Sequence, residues 1–235
     1  MTGEPDWLRP WIGPMQDQPP APPDDEGRSK QDGTQESASP AMEPAPTPTS
    51  AFPMAVLVEG GMGLLALGLG WLLGFPLGET IRWEGADVLR GLAATVPLVG
   101  VLLVCVHVPI GVLQDLLRTI DRFVVPLFRR WRVGEMAMVA ALAGLGEEML
   151  FRGVLQNALA HWVGGSYGVW AGWVLASVLF GVVHAVSTTY ALLATGIGFY
   201  LGGLWIVTRN LLVPVVAHGV YDFLALVYLV RIRGR

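Results

Sequence analysis

Six ionisable residues form one dense set within the later apolar stretches of this chain: Glu147, Glu148, Arg152, His184, His218 and Asp222. A charge at the centre of a membrane span costs about 2.5–3.5 kcal/mol on insertion scales, so such residues are functional candidates by default. Their spacing sorts them. Glu148 and Arg152 are four apart and share one helix face, where they can pair. Glu147 lies about 100° around the helix and is free for another task. Ser177, Phe180 and His184 form one stripe. His218 and Asp222 are four apart, so the carboxylate can orient the imidazole. A carboxylate with two imidazoles is a set for general acid–base chemistry. Glu147, His184 and His218 are also the two-His, one-carboxylate set that a zinc ion with an open water position would take, although no HExxH is present. The bland alternatives are an Arg with two acids tying helices together, and histidines satisfied within a core.

Those residues need helices to position them. Of the 235 residues, 53% are hydrophobic and only 14% charged, against about 25% charged in a soluble domain. Apolar runs of membrane-spanning length are expected at Met54–Gly74, Val88 to about Leu113 with kinks at Pro97 and Pro109, Glu135–Trp162, Tyr167–His184, Thr188–Val207 and Leu211–Val230. The predicted fold is therefore an all-α, polytopic transmembrane bundle of about six spans. Between the second and third spans, residues 114–134 mix apolar side chains with Arg118, Arg122, Arg129, Arg130 and Arg132. This reads as an amphipathic interfacial helix broken near Pro126, with Trp131 in the interfacial aromatic belt. Glu59, near one end of the first span, is expected to reach the interface, and His107 and His161 are read as interfacial. Gln156 and Asn157 are candidates to face a cavity. Glycines 60, 61, 63, 68 and 70 offer small faces for helix contact.

Residues 1–53 hold 12 of the 17 prolines, and nine acids against three bases. They are expected to be a disordered acidic tail. The remaining divisions are 54–134 for the N-terminal spans and interfacial helix, 135–230 for the helical core, and 231–235 for a basic tail. With 19 acids and 15 bases overall, nucleic acid is not an expected partner. The lone Cys105 excludes a disulfide framework. The first apolar run has no positively charged stretch before it, so the chain is expected to insert through its own spans. Arginines concentrate in 118–132 and at the C-terminus, which places both termini in the cytoplasm by the positive-inside rule.

Three short patterns together carry a resemblance. Glu147-Glu148-Met149-Leu150-Phe151-Arg152, then Phe180-Gly181-Val182-Val183-His184, then His218-Gly219-Val220-Tyr221-Asp222 follow in order within consecutive apolar runs. In order and spacing they resemble the type II CAAX prenyl endopeptidases and their bacterial relatives, the CPBP intramembrane protease family. The resemblance covers about 135–228 and leaves the tail aside. It implies an intramembrane endopeptidase in which Glu147 is the general base and His184 its partner in activating water. Glu148 and Arg152 form an internal positioning pair, and His218 with Asp222 holds the developing oxyanion. The chain departs from the eukaryotic pattern at Asp222, where that pattern has Asn. Asn donates a hydrogen bond and an ionised Asp does not, so Asp222 either carries a proton or only orients His218. No cofactor is expected, zinc being the exception to test. The expected partners are the lipid bilayer and a membrane-associated protein or peptide substrate, and the expected location is the bacterial inner membrane. Two alternatives stay open: a non-proteolytic scaffold or bacteriocin-immunity protein on the same fold, and a small proton-coupled transporter, against which the lack of an inverted repeat speaks.

Overall fold

The computed structural model describes Pro48–Arg233, so most of the expected acidic tail lies outside the described residues. The described residues are helices joined by short connections, with no strand among them. Helix α1 covers Pro48–Leu73 and so begins ahead of the expected start at Met54. Helix α2 covers Gly85–His107. It keeps Pro97 in its interior, but ends rather than kinks at Pro109. Val108, the residue before that proline, is extended, as the clash with the proline ring favours.

The connecting segment is α3 (Gly111–Thr119), a π turn at Ile120–Val124, and α4 (Val125–Phe128). The expected break at Pro126 does not occur. The wider π turn comes just before it, where the missing N–H and the ring would disturb an α ladder. Helix α5 (Val133–Glu148), a π segment at Met149–Gln156 and α6 (Asn157–Val163) form one helical run. Helices α7 (Gly168–Val183), α8 (Thr188–Thr208) and α9 (Leu212–Val227) follow, and α9 runs on into a π turn at Tyr228–Ile232.

Four helical stretches are long and apolar enough to cross a membrane: Ala51–Leu73, Gly85–His107, Thr188–Thr208 and Leu212–Ile232. They mark an integral membrane protein. Helix α7 is apolar but has 16 residues, roughly 24 Å against a hydrocarbon layer of about 30 Å. The α5–α6 run carries Glu147, Glu148 and Arg152.

Helix α5 packs between α1 and α9, α7 lies against α8, and α2 lies against α9. A buried polar knot fixes the α8–α9 corner. The Asn210 amide accepts from the Arg82 backbone N–H (3.0 Å) and donates to the Arg82 carbonyl (2.9 Å) and to Asp87 (2.6 Å). At the other end, Arg231 donates to the Arg129 and Trp131 carbonyls, and Arg233 makes two 2.9 Å bonds to Asp121. The arginine-rich connection is thereby strapped to the end of α9. Trp131 is not in an outward belt. It is 3% exposed and packs edge-on against Phe52 (5.2 Å) and Phe128 (4.6 Å).

Candidate active site

Two glycines set the position of the acidic pair at the end of α5. A Cβ on Gly144 would stand 2.7 Å from the Gly219 nitrogen on α9, and one on Gly146 would stand 2.6 Å from the Glu59 carbonyl on α1. Only glycine permits backbones to approach so closely. The contact at Gly144 brings α5 against the turn of α9 that carries His218. The expected small faces of α1 are only partly used: Gly63 and Gly70 meet neighbours, while Gly60, Gly61 and Gly68 meet nothing within 4 Å.

The structure brings all six sequence candidates together. Glu148 is fully buried, and its Oε1 accepts from Arg152 Nη1 and faces His218 Nδ1, both at 2.9 Å. Arg152 also donates to the Gly198 carbonyl on α8 (3.1 Å). Since a carboxylate only accepts, His218 carries its proton on Nδ1 here. Glu147 is 6% exposed. Its Oε2 lies 3.6 Å from His184 Nε2 and 3.9 Å from His218 Nε2 and has no hydrogen-bond partner. These gaps exceed a direct hydrogen bond and leave Oε2 open to accept from a water in the cavity. His184, just past the end of α7, donates from Nδ1 to the Phe180 carbonyl (2.8 Å), which turns Nε2 toward Glu147.

Two carboxylates flank the His218 ring: Glu148 engages Nδ1 at 2.9 Å, while Asp222, the orienting residue expected from spacing, places Oδ2 3.4 Å from Nε2 and is partly exposed. Phe180 is more than a spacing marker. Its ring lies 4.4 Å from that of His184, 5.8 Å from that of His218 and 4.5 Å from the Arg152 guanidinium carbon. Ser177 bonds back to the Trp173 carbonyl. Gln156 and Asn157 do not line the cavity. Gln156 reaches the Gly202 carbonyl, and Asn157 reaches Gly153 and Trp205. His107 is exposed, and His161 packs edge-on near Phe75.

A cavity of about 290 Å³ opens in front of Glu147 and is lined also by His184, His218 and Asp222. Its walls are largely apolar and include Leu116, Ile120 and Val124 of the connecting segment. Glu59 lines it too, which overturns the expectation that this residue reaches the interface. Because the span begins at Ala51, Glu59 sits about 12 Å along the helix axis, away from the end. The rule that flagged the other six would have found it, had the helix start been placed correctly.

Among the described residues, no three His, Cys, Asp or Glu side chains converge in a way that fits a metal ion. His218 Nε2, the nitrogen that a shared zinc would need, faces Asp222 as well as Glu147.

Residues 129–224 match the family model described as type II CAAX prenyl endopeptidase Rce1-like. That stretch holds all six candidates, and the model describes the family that the three patterns resemble. The chain is also 32% identical over 99 residues to YpbD of Bacillus subtilis (strain 168), itself described as uncharacterized. That match takes in 41% of this chain and 46% of YpbD, less than half the relative's length. No solved structure matches.

Proposed function

We propose that this protein is an intramembrane endopeptidase that hydrolyses a peptide bond with a water activated by Glu147 and His184. The observation that carries the reading is the unpartnered Glu147 Oε2 at the head of an apolar cavity, with two imidazole Nε2 atoms 3.6 and 3.9 Å away. A water between Glu147 and His184 loses its proton to Glu147 as its oxygen attacks the carbonyl carbon. The carbonyl oxygen becomes an oxyanion, and His218 donates to it when Nε2 carries a proton. Glu148 and Arg152 hold His218 at the required angle. Glu147 then gives its proton to the leaving nitrogen as the C–N bond breaks. Asp222 stands beside the oxyanion site.

The substrate is a membrane-associated protein or peptide that enters from the bilayer or the cytoplasmic face. We place the protein in a bacterial inner membrane with six crossings and both termini inside. Arginines on the connecting segment and the C-terminus support that orientation. The reading is tested with detergent-purified protein and a peptide library, comparing wild type, Glu147→Gln and His184→Ala, with and without a zinc chelator. Loss of cleavage in both variants together with resistance to chelator supports it. Cleavage lost to chelator and restored by zinc replaces it with a metal mechanism. Absence of wild-type cleavage across the library favours a scaffold.

A further inference from the structure

The charge of the cavity wall has a bearing on what can bind there. Its carboxyl groups are Glu59, Glu147 and Asp222, and among the described residues no Lys or Arg lines it. Arg152 is withdrawn beneath Glu148 and the Gly198 carbonyl and is 1% exposed. A substrate carboxylate placed in this cavity would meet three acids and no permanent cation. A substrate cation would meet the reverse, and such like-charge rejection is an effective source of specificity. Two carboxylate oxygens in the cavity also lack a partner: Glu147 Oε2, on a side chain more than nine-tenths buried, and Glu59 Oε2. Buried polar atoms without partners are costly, and a donor supplied by a ligand removes the cost.

Glu147 is committed to water. Glu59 is not used by the hydrolysis described above, and it comes from α1, outside the segment 129–224 that matches the family model. Its backbone is held against Gly146, the residue before Glu147, so its side chain enters the cavity next to the reacting carboxylate. We propose that Glu59 is a specificity-determining residue that receives the positively charged side chain of a Lys or Arg close to the scissile bond. This rests on the peptidase reading and names the substrate class for it: a peptide basic near the cleaved bond, rather than one presenting a free carboxylate there.

The test uses the full-length protein in detergent and a cleaved peptide resynthesised with Lys, norleucine or Glu at each position flanking the bond. In wild type, one position is expected to favour Lys over norleucine by about tenfold or more in kcat/KM, mainly through KM, and to reject Glu. Glu59→Gln should bring the Lys-to-norleucine ratio close to one, and Glu59→Asp should keep part of it. The ratio is read within each variant, so a general loss of activity cancels. Should Glu59→Gln cleave nothing, the same ratio is read from peptide binding to it. A Lys preference undiminished in Glu59→Gln, or Glu peptides cleaved as well as Lys peptides, overturns this assignment and leaves the peptidase reading intact. Wild type that cleaves no peptide overturns both.

Discussion

Substitution of Gly144 by alanine tests whether helix contact, rather than the acidic pair alone, creates the site. The added Cβ would lie 2.7 Å from the Gly219 nitrogen, 2.8 Å from its Cα and 2.9 Å from the Val215 carbonyl oxygen. Carbon contacts are comfortable from about 3.5 Å, so α5 and α9 must part by somewhat under ~1 Å. The 2.9 Å contact from His218 to Glu148 then stretches beyond about 3.5 Å and is lost as a hydrogen bond. A misplacement of about 1 Å in a catalytic group costs on the order of 10²-fold in rate, and overpacking costs about 1–3 kcal/mol in stability. Gly100→Ala is the control, because nothing lies within 4 Å of its added Cβ, and removing a helical glycine there gains up to about 1 kcal/mol. The assay pairs kcat on a cleaved peptide with the unfolding midpoint in detergent. Gly144→Ala that keeps kcat within about threefold of wild type, less than ~1 kcal/mol in barrier, would refute the reasoning.

Arg152→Ala breaks a fully buried ion pair with Glu148; a loss of about 3–5 kcal/mol is expected, read as a lowered unfolding midpoint. Because Glu148 holds His218 Nδ1, Glu148→Ala should lower kcat by roughly tenfold to a hundredfold, the worth of a charged hydrogen bond. Asp222→Asn, which keeps shape and adds a donor, should stay within about threefold, and the reverse order in steady-state rates would return the orienting role to Asp222. The half-exposed Arg233–Asp121 pair should show a coupling below about 1 kcal/mol in a double-mutant cycle.

The chemistry was more legible in the sequence than the architecture that holds it. Spacing of four placed Glu148 with Arg152 and His218 near Asp222, because side chains one helical turn apart share a face. It did not show that Glu148 also reaches His218, since contacts between α5 and α9 depend on Gly144 and Gly219, and periodicity carries no information about which helices meet. Proline signals were misjudged twice: at Pro109, read as a kink, α2 has already ended, and at Pro126 a π turn absorbs the defect. Trp131 was misread because aromatic type alone does not say which way a ring turns. Glu59 was misread because the start of α1 was placed at Met54. The Asn210 knot left no sequence signal, as its partners Arg82 and Asp87 are distant in the chain.

The most direct measurement is single-turnover cleavage of one identified peptide by Glu147→Gln protein, with peptide affinity and unfolding midpoint measured on the same preparation. The glutamine keeps the shape of the side chain and removes the base. The rate should fall by on the order of 10³-fold or more, with affinity within about twofold and the midpoint close to wild type. Cleavage by Glu147→Gln at a rate near that of wild type would contradict the claim that Glu147 activates the water.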